Sequence, residues 1–189
     1  ALGNTRIVVP SASANSGPEW RAIGERLNAL GAKARERGVT IGFHNHAGEI
    51  TQVYDGKMAL EWLFEGTDPE NVHVQIDLGW AYAGGADLVQ LIKKYEGRIL
   101  SVHVKDMIGS RQANAIGEGE IDWATVLETT HTIGGTQWYI VEHDGPVDEE
   151  YFAYTSLANV APLLAEITGI PAPSDSDCFG IMFCKFSKH

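Results

Sequence analysis

Five times along this chain a short β-like run gives way to a longer amphipathic segment, and that alternation limits the possible folds more than any other feature. TRIVVPS leads into SGPEWRAIGERLNALGAKARERG, where Ser16, Pro18 and Glu19 are helix-start signals and Gly38 is a stop. Trp20, Ile23, Leu27, Leu30 and Ala34 recur there at helical spacing, predicting one apolar stripe. VTIGFHNH precedes a helix near GKMALEWLFEG, and VHVQIDLGW precedes ADLVQLIKKYEG. RILSVHVKD runs through a Gly-rich loop to IDWATVLETTHTIGG, and QWYIVEHD precedes DEEYFAYTSLANVAPLLAEITG. Strands alternating with helices imply a parallel sheet with right-handed crossovers, either an open doubly wound sheet or a (β/α) barrel.

Side-chain parity separates the two, because neighbouring strand residues point to opposite faces. Val72, Val74, Ile76 and Leu78 share one face of their strand, and His73, Gln75 and Asp77 the other. Leu100, Val102 and Val104 likewise oppose Ser101, His103 and Lys105, while Ile41 and Phe43 oppose Thr40, Gly42, His44 and His46. In WYIVEHD, Glu142 and Asp144 share a face with Trp138 and Ile140, opposite Tyr139 and Val141. A doubly wound sheet covers both faces and asks for strands apolar on both. One greasy and one polar face instead fits outer helices around a polar, ligand-bearing interior, so the expected fold is an α/β, TIM-type (β/α) barrel.

A complete barrel of that type takes about 250 residues, whereas this chain has 189 and about five βα units, so the barrel is expected to be incomplete. Either three N-terminal units are absent from this chain, or five-strand bodies pair to cover open edges. Unpaired edges attract partners, which predicts a homo-oligomer, a dimer first. Residues 1–169 form the expected partial barrel, and 170–189 are a Pro/Ser/Asp linker with an apolar tail, CFGIMFCKF, that either adds a strand at an exposed edge or is an artefact of expression or truncation. The only cysteines, Cys178 and Cys184, lie in that tail, so no disulfide framework supports the body, as suits a reducing cytoplasm. A net charge of −11 argues against a nucleic-acid surface, and no apolar run approaches the roughly 20 residues of a membrane span. A small-molecule ligand fits better than either.

Successive strand ends present His44 and His46, then Asp77, then His103 with Lys105, then Glu142 with Asp144. Side chains from several strand ends converge at the mouth of a barrel. A mixed set of carboxylates and imidazoles suits Mn, Co, Zn or Mg rather than a thiolate-seeking metal. Trp80 and Lys105 fall beside these strand ends, Trp80 as a flat wall or an apolar lid residue and Lys105 as a charge for an anionic group or a solvated rim lysine. The loop GSRQANAIGEGEIDW, with Arg111, lacks the strand-turn-helix setting of a dinucleotide site and reads as a lid.

The motifs GFHNHAGE, QIDLGW, VHVKDM, IGEGEIDW and YIVEHD, in that order and spacing, resemble the sugar-phosphate isomerase/epimerase family of xylose-isomerase-like TIM barrels. The family also includes the type IV apurinic endonucleases, and the resemblance covers the last five βα units of its barrel. It implies a divalent metal held by glutamate, aspartate, histidine and glutamate from late strands. Asp77 matches the aspartate, His103 the histidine and Glu142 the last glutamate. Where the first glutamate commonly sits this chain has His44, which leaves His44 or Glu49 as the first ligand. Glu142 is the expected base as well as a ligand, Glu49 its possible partner across the substrate, and His46, Asn45, Trp80 and Arg111 the expected substrate contacts. The implied activity is isomerisation or epimerisation of a sugar or keto-sugar by proton transfer through an enediolate. The alternatives are a metal-dependent hydrolase or lyase on the same scaffold and a non-catalytic truncated barrel.

Overall fold

The computed structural model describes residues 4–171 and the backbone of 183–185. The expected β/α order is present, and the chain divides into two compact units, residues 1–75 and 76–189.

In the first unit β1 (Arg6–Val9) is followed by α1 (Gly17–Arg35), capped by Ser16, whose hydroxyl accepts the Glu19 N–H at 3.4 Å. The buried face of α1 is Trp20, Gly24, Leu27 and Gly31, while Leu30 is 54% exposed. The stripe read from the sequence therefore lies one position off at Leu30. Glycine was not counted as an apolar contact, yet Gly24 and Gly31 are the residues that turn inward. β2 (Thr40–His44) runs parallel to β1, with Arg6 opposite Thr40 and Val9 opposite Phe43. A short α2 (Ala47–Thr51), a hairpin of β3 (Val53–Tyr54) and β4 (Lys57–Met58), and α3 (Ala59–Glu65) come next. β5 (Val72–Asp77) begins in this unit, parallel to β2, with His44 opposite Gln75. Trp20, Phe43, Leu60, Leu63, Val72 and Val74 make the core, and the Phe43 and Phe64 rings meet edge-on at 6.4 Å.

The second unit takes in the end of β5, then α4 (Leu78–Ala83) and α5 (Leu88–Lys94). β6 (Ile99–Val104) leads to a hairpin of β7 (Met107–Ile108) and β8 (Arg111–Gln112), then to α6 (Trp123–Thr129), which winds into a π turn over Thr130–Gly134. β9 (Trp138–Val141) lies parallel to β6, Ser101 opposite Trp138 and His103 opposite Ile140. α7 (Glu149–Thr168) starts at Asp148, whose carboxylate accepts the Tyr151 N–H at 3.0 Å. β10 (Phe183–Lys185) pairs antiparallel with β9. The remaining tail residues, including Cys178, lie outside the described residues. Ile76, Leu78, Ile92, Ile99, Val102, Val104 and Leu127 are fully buried between strands and helices of this unit. No helix among the described residues is long and apolar enough to cross a membrane.

Candidate metal centre

Asp77 is both the last residue of β5 and the N-cap of α4. Its Oδ1 accepts the Trp80 N–H at 2.8 Å, satisfying one of the orphan donors of a helix start and fixing the carboxylate plane. Gly79 in the same turn lets α4 approach β6: a Cβ there would stand 2.6 Å from the Lys105 carbonyl oxygen. The glycine of QIDLGW is thus a contact requirement and not a flexible joint.

With Oδ1 engaged by the helix, Asp77 Oδ2 faces β6. His103 Nδ1 lies 3.8 Å from it, and the same nitrogen is 2.6 Å from Glu142 Oε2. The Lys105 ammonium is 2.9 Å from Asp77 Oδ2, 3.0 Å from Glu142 Oε2 and 2.5 Å from Asp144 Oδ2. Asp77 and Lys105 are buried, and the Glu142 side chain is 34% exposed, so the cluster has a closed floor and an open rim. β6 and β9 run in register with Val104 opposite Val141, which brings Lys105 level with Glu142, whose N–H donates to the Val104 carbonyl at 3.2 Å.

The charges support one another. Burial pushes the Asp77 carboxyl up, and the ammonium beside it opposes that push. Burial alone would lower Lys105, but Asp77, Asp144 and Glu142 outweigh it and hold the amine above its ordinary value. Burial alone would raise Glu142, yet contacts with His103 and Lys105 bring it down to about 2. An ion-paired network in a buried setting is consistent with such opposing effects.

Trp80 flanks the cluster, its ring centre 5.1 Å from the Lys105 ammonium and its Nε1–H donating to Asp144 Oδ2 at 3.1 Å. Arg111 lies exposed on the β7–β8 hairpin and donates to the Gln112 carbonyl at 3.2 Å. The remaining expected residues belong to the first unit. His44 ends β2, buried, with Nδ1 3.1 Å from Gln75 Oε1 and its ring edge-on to His46 at 4.8 Å. Asn45 is buried beside it. His46 does not continue the strand, as parity had it: β2 stops at His44, and His46 is the N-cap of α2. Glu49, three residues on, accepts the His46 N–H through Oε2 at 2.9 Å. This is one arm of the reciprocal capping signature, which the His-x-x-Glu spacing already contained.

Two residues that the sequence pattern does not single out shape the rim. Asp106 is buried, and its carboxylate accepts the N–H of Met107 at 2.9 Å, of Gly117 at 2.7 Å and of Gly119 at 2.9 Å. The Gly-rich loop is thereby stapled to the end of β6, and the Ile116 N–H and carbonyl are held in turn by Ser156 and Asn159. Gln112 grips Asp144 from both sides: it accepts the Asp144 N–H at 2.8 Å and donates to its carbonyl at 3.3 Å.

The family model described as xylose isomerase-like TIM barrel matches residues 1–159, and the chain belongs to that family. Its five parallel strands with their helices make it an incomplete barrel of that fold. Inosose dehydratase of Salmonella typhimurium is 31% identical over 147 residues, 67% of this chain and 47% of that protein. Inosose dehydratase of Bacillus velezensis is 32% identical over 137 residues, 68% of this chain and 45% of that one. The chain thus spans about half the length of the curated relatives it matches. A crystal structure of a sugar phosphate isomerase/epimerase from Parabacteroides distasonis superposes with a TM-score of 0.72 at 24% identity, over 86% of this chain and 58% of that one. L-ribulose 3-epimerase gives 0.57 at 19% identity, over 89% and 54%.

Proposed function

We propose that the chain carries a divalent-metal centre of an enzyme that removes a proton α to the carbonyl of a keto-polyol. The observation that supports this reading is the approach of His103 Nδ1 to Asp77 Oδ2 on one side and to Glu142 Oε2 on the other, donors of borderline-hard character at the ends of neighbouring strands. Their separations, 2.6 and 3.8 Å, bracket the roughly 3 Å between neighbouring donors around an ion bound at about 2.1 Å.

A divalent ion held there would polarise the substrate carbonyl and favour the enediolate. Glu142, ionised throughout the neutral range, accepts the α-proton. Lys105 sets a positive charge against the oxygen that becomes negative, and Trp80 offers a flat wall for the ring or carbon chain. The product depends on the substrate. Return of the proton to another face or carbon gives epimerisation or isomerisation. Loss of a β-hydroxyl together with a proton gives one water and an unsaturated ketone. We favour the second outcome, because the two curated relatives described above, at 31% and 32% identity, are inosose dehydratases. Epimerase chemistry is the second reading, and the structural neighbours favour it at the level of fold. We further propose a homodimer and a cytoplasmic setting.

Elemental analysis of the purified chain, then incubation with an inosose and with keto-sugars in deuterated buffer, tests this. Expected are bound Mn, Co, Zn or Mg, deuterium at the carbon next to the carbonyl, and release of water from the inosose. Bound metal without exchange in any substrate would point to the hydrolase alternative. No metal, with Asp77→Ala and His103→Ala both silent, would leave a non-catalytic barrel.

A further inference from the structure

Lys105 is 1% exposed, and its side chain reaches three carboxylates. Two of the oxygens it touches, Asp77 Oδ2 and Glu142 Oε2, are the ones assigned above to a divalent ion. The third, on Asp144, is not. Asp144 is fixed without help from Lys105, by Gln112 through two backbone contacts and by the Trp80 Nε1–H. An ion at about 2.1 Å from Asp77 Oδ2 would stand no more than about 5 Å from the ammonium on the same oxygen, in a setting with little water to screen two positive charges. The ammonium and the ion compete for the same atoms. Only one of them has somewhere else to go.

We propose that Lys105 is a tethered counter-ion that exchanges with the divalent metal, shared among Asp77, Glu142 and Asp144 in the metal-free chain and keeping only its Asp144 contact when the ion binds. The proposal rests on the metal-centre reading above. It assigns Asp144 a role outside the ligand set, as the berth that keeps the displaced ammonium close. It also gives the Gln112 grip a purpose, since a berth must stay in place while its occupant moves. Removing the ammonium and removing the berth then act in opposite directions. Without Lys105 the ion has no rival. Without the Asp144 charge the ammonium stays where the ion must go.

Calorimetric titration of Mn²⁺ into the full chain at fixed pH and salt separates these effects. Lys105→Met should bind Mn²⁺ at least about tenfold more tightly than the natural chain, and Asp144→Asn about fivefold or more weakly. Lys105→Gln, which keeps a polar tip, should shift in the same direction as Lys105→Met. Without metal, Lys105→Met should unfold at a lower temperature than the natural chain, and Mn²⁺ should raise its Tm by the larger amount. Equal or weaker Mn²⁺ binding by both Lys105 variants would overturn the exchange while leaving the metal centre standing. Asp144→Asn binding as tightly as the natural chain would overturn the berth. Failure of the natural chain and of both Lys105 variants to bind Mn²⁺ would remove the metal centre itself, and the exchange with it.

Discussion

Glu142 lies between the His103 imidazole and the Lys105 ammonium. Burial would raise its carboxyl, but His103 and Lys105 hold it at about 2, below the ordinary 4.5. A carboxyl whose folded value lies below its unfolded one stabilises the fold fully above the unfolded value, and loses that contribution as pH falls toward the folded one. The stability gap between the natural chain and Glu142→Gln should therefore be constant above about pH 4.5 and shrink between there and pH 2. Urea unfolding at stepped pH reads it; a gap that does not narrow would show that the contacts do not favour the ionised form. At this scale parity located Asp77, His103, Lys105 and Glu142, because a period of two survives in any strand with one polar face. It misplaced His46, because the His-x-x-Glu cap spacing overlaps the alternating run and parity alone does not register it. Gln112 and Asp106 were illegible for a related reason. Each acts on backbone groups that only the folded loop brings near.

The loop after β6 shows what an element can owe to one side chain. It was expected to be a lid, and its sequence does have the Gly content of one. In the structure Gly119 is also a point of close approach: a Cβ there would stand 2.1 Å from Asp106 Oδ1 and 2.5 Å from the Met107 carbonyl oxygen. Asp106→Asn turns an acceptor of three N–H groups into a partial donor and should cost about 1.5–3 kcal/mol, read by chemical denaturation. Gly119→Ala should destabilise the chain and speed amide exchange at Met107, Gly117 and Glu120, whose N–H bonds the staple organises. Unchanged exchange at those three amides would refute the staple. Helix α1 carries a similar lesson: its inward face includes Gly24 and Gly31, which a hydrophobicity pattern does not register.

For the whole molecule, the order of the five βα units was readable because each strand and each helix carries its own period, and neither depends on the rest of the barrel. The βα order says nothing of what covers an edge. Among the described residues β1 pairs with β2 alone, and Ile7 on it is 55% exposed. An uncovered parallel edge with an apolar side chain is a surface that recruits another chain. Multi-angle light scattering should accordingly report a dimer across the micromolar range, and Ile7→Lys should shift it toward monomer; a monomer at every concentration would refute the proposal.

The Asp106 staple has a practical consequence for redesign. Its anchor points are backbone amides, so the shape of the rim is independent of the side chains carried at its tip. Ile108, Ser110 and Arg111 are exposed there and take no part in the clamp. They form an exchangeable cassette, and a combinatorial library confined to those three positions would vary what meets an incoming molecule while inheriting an intact scaffold.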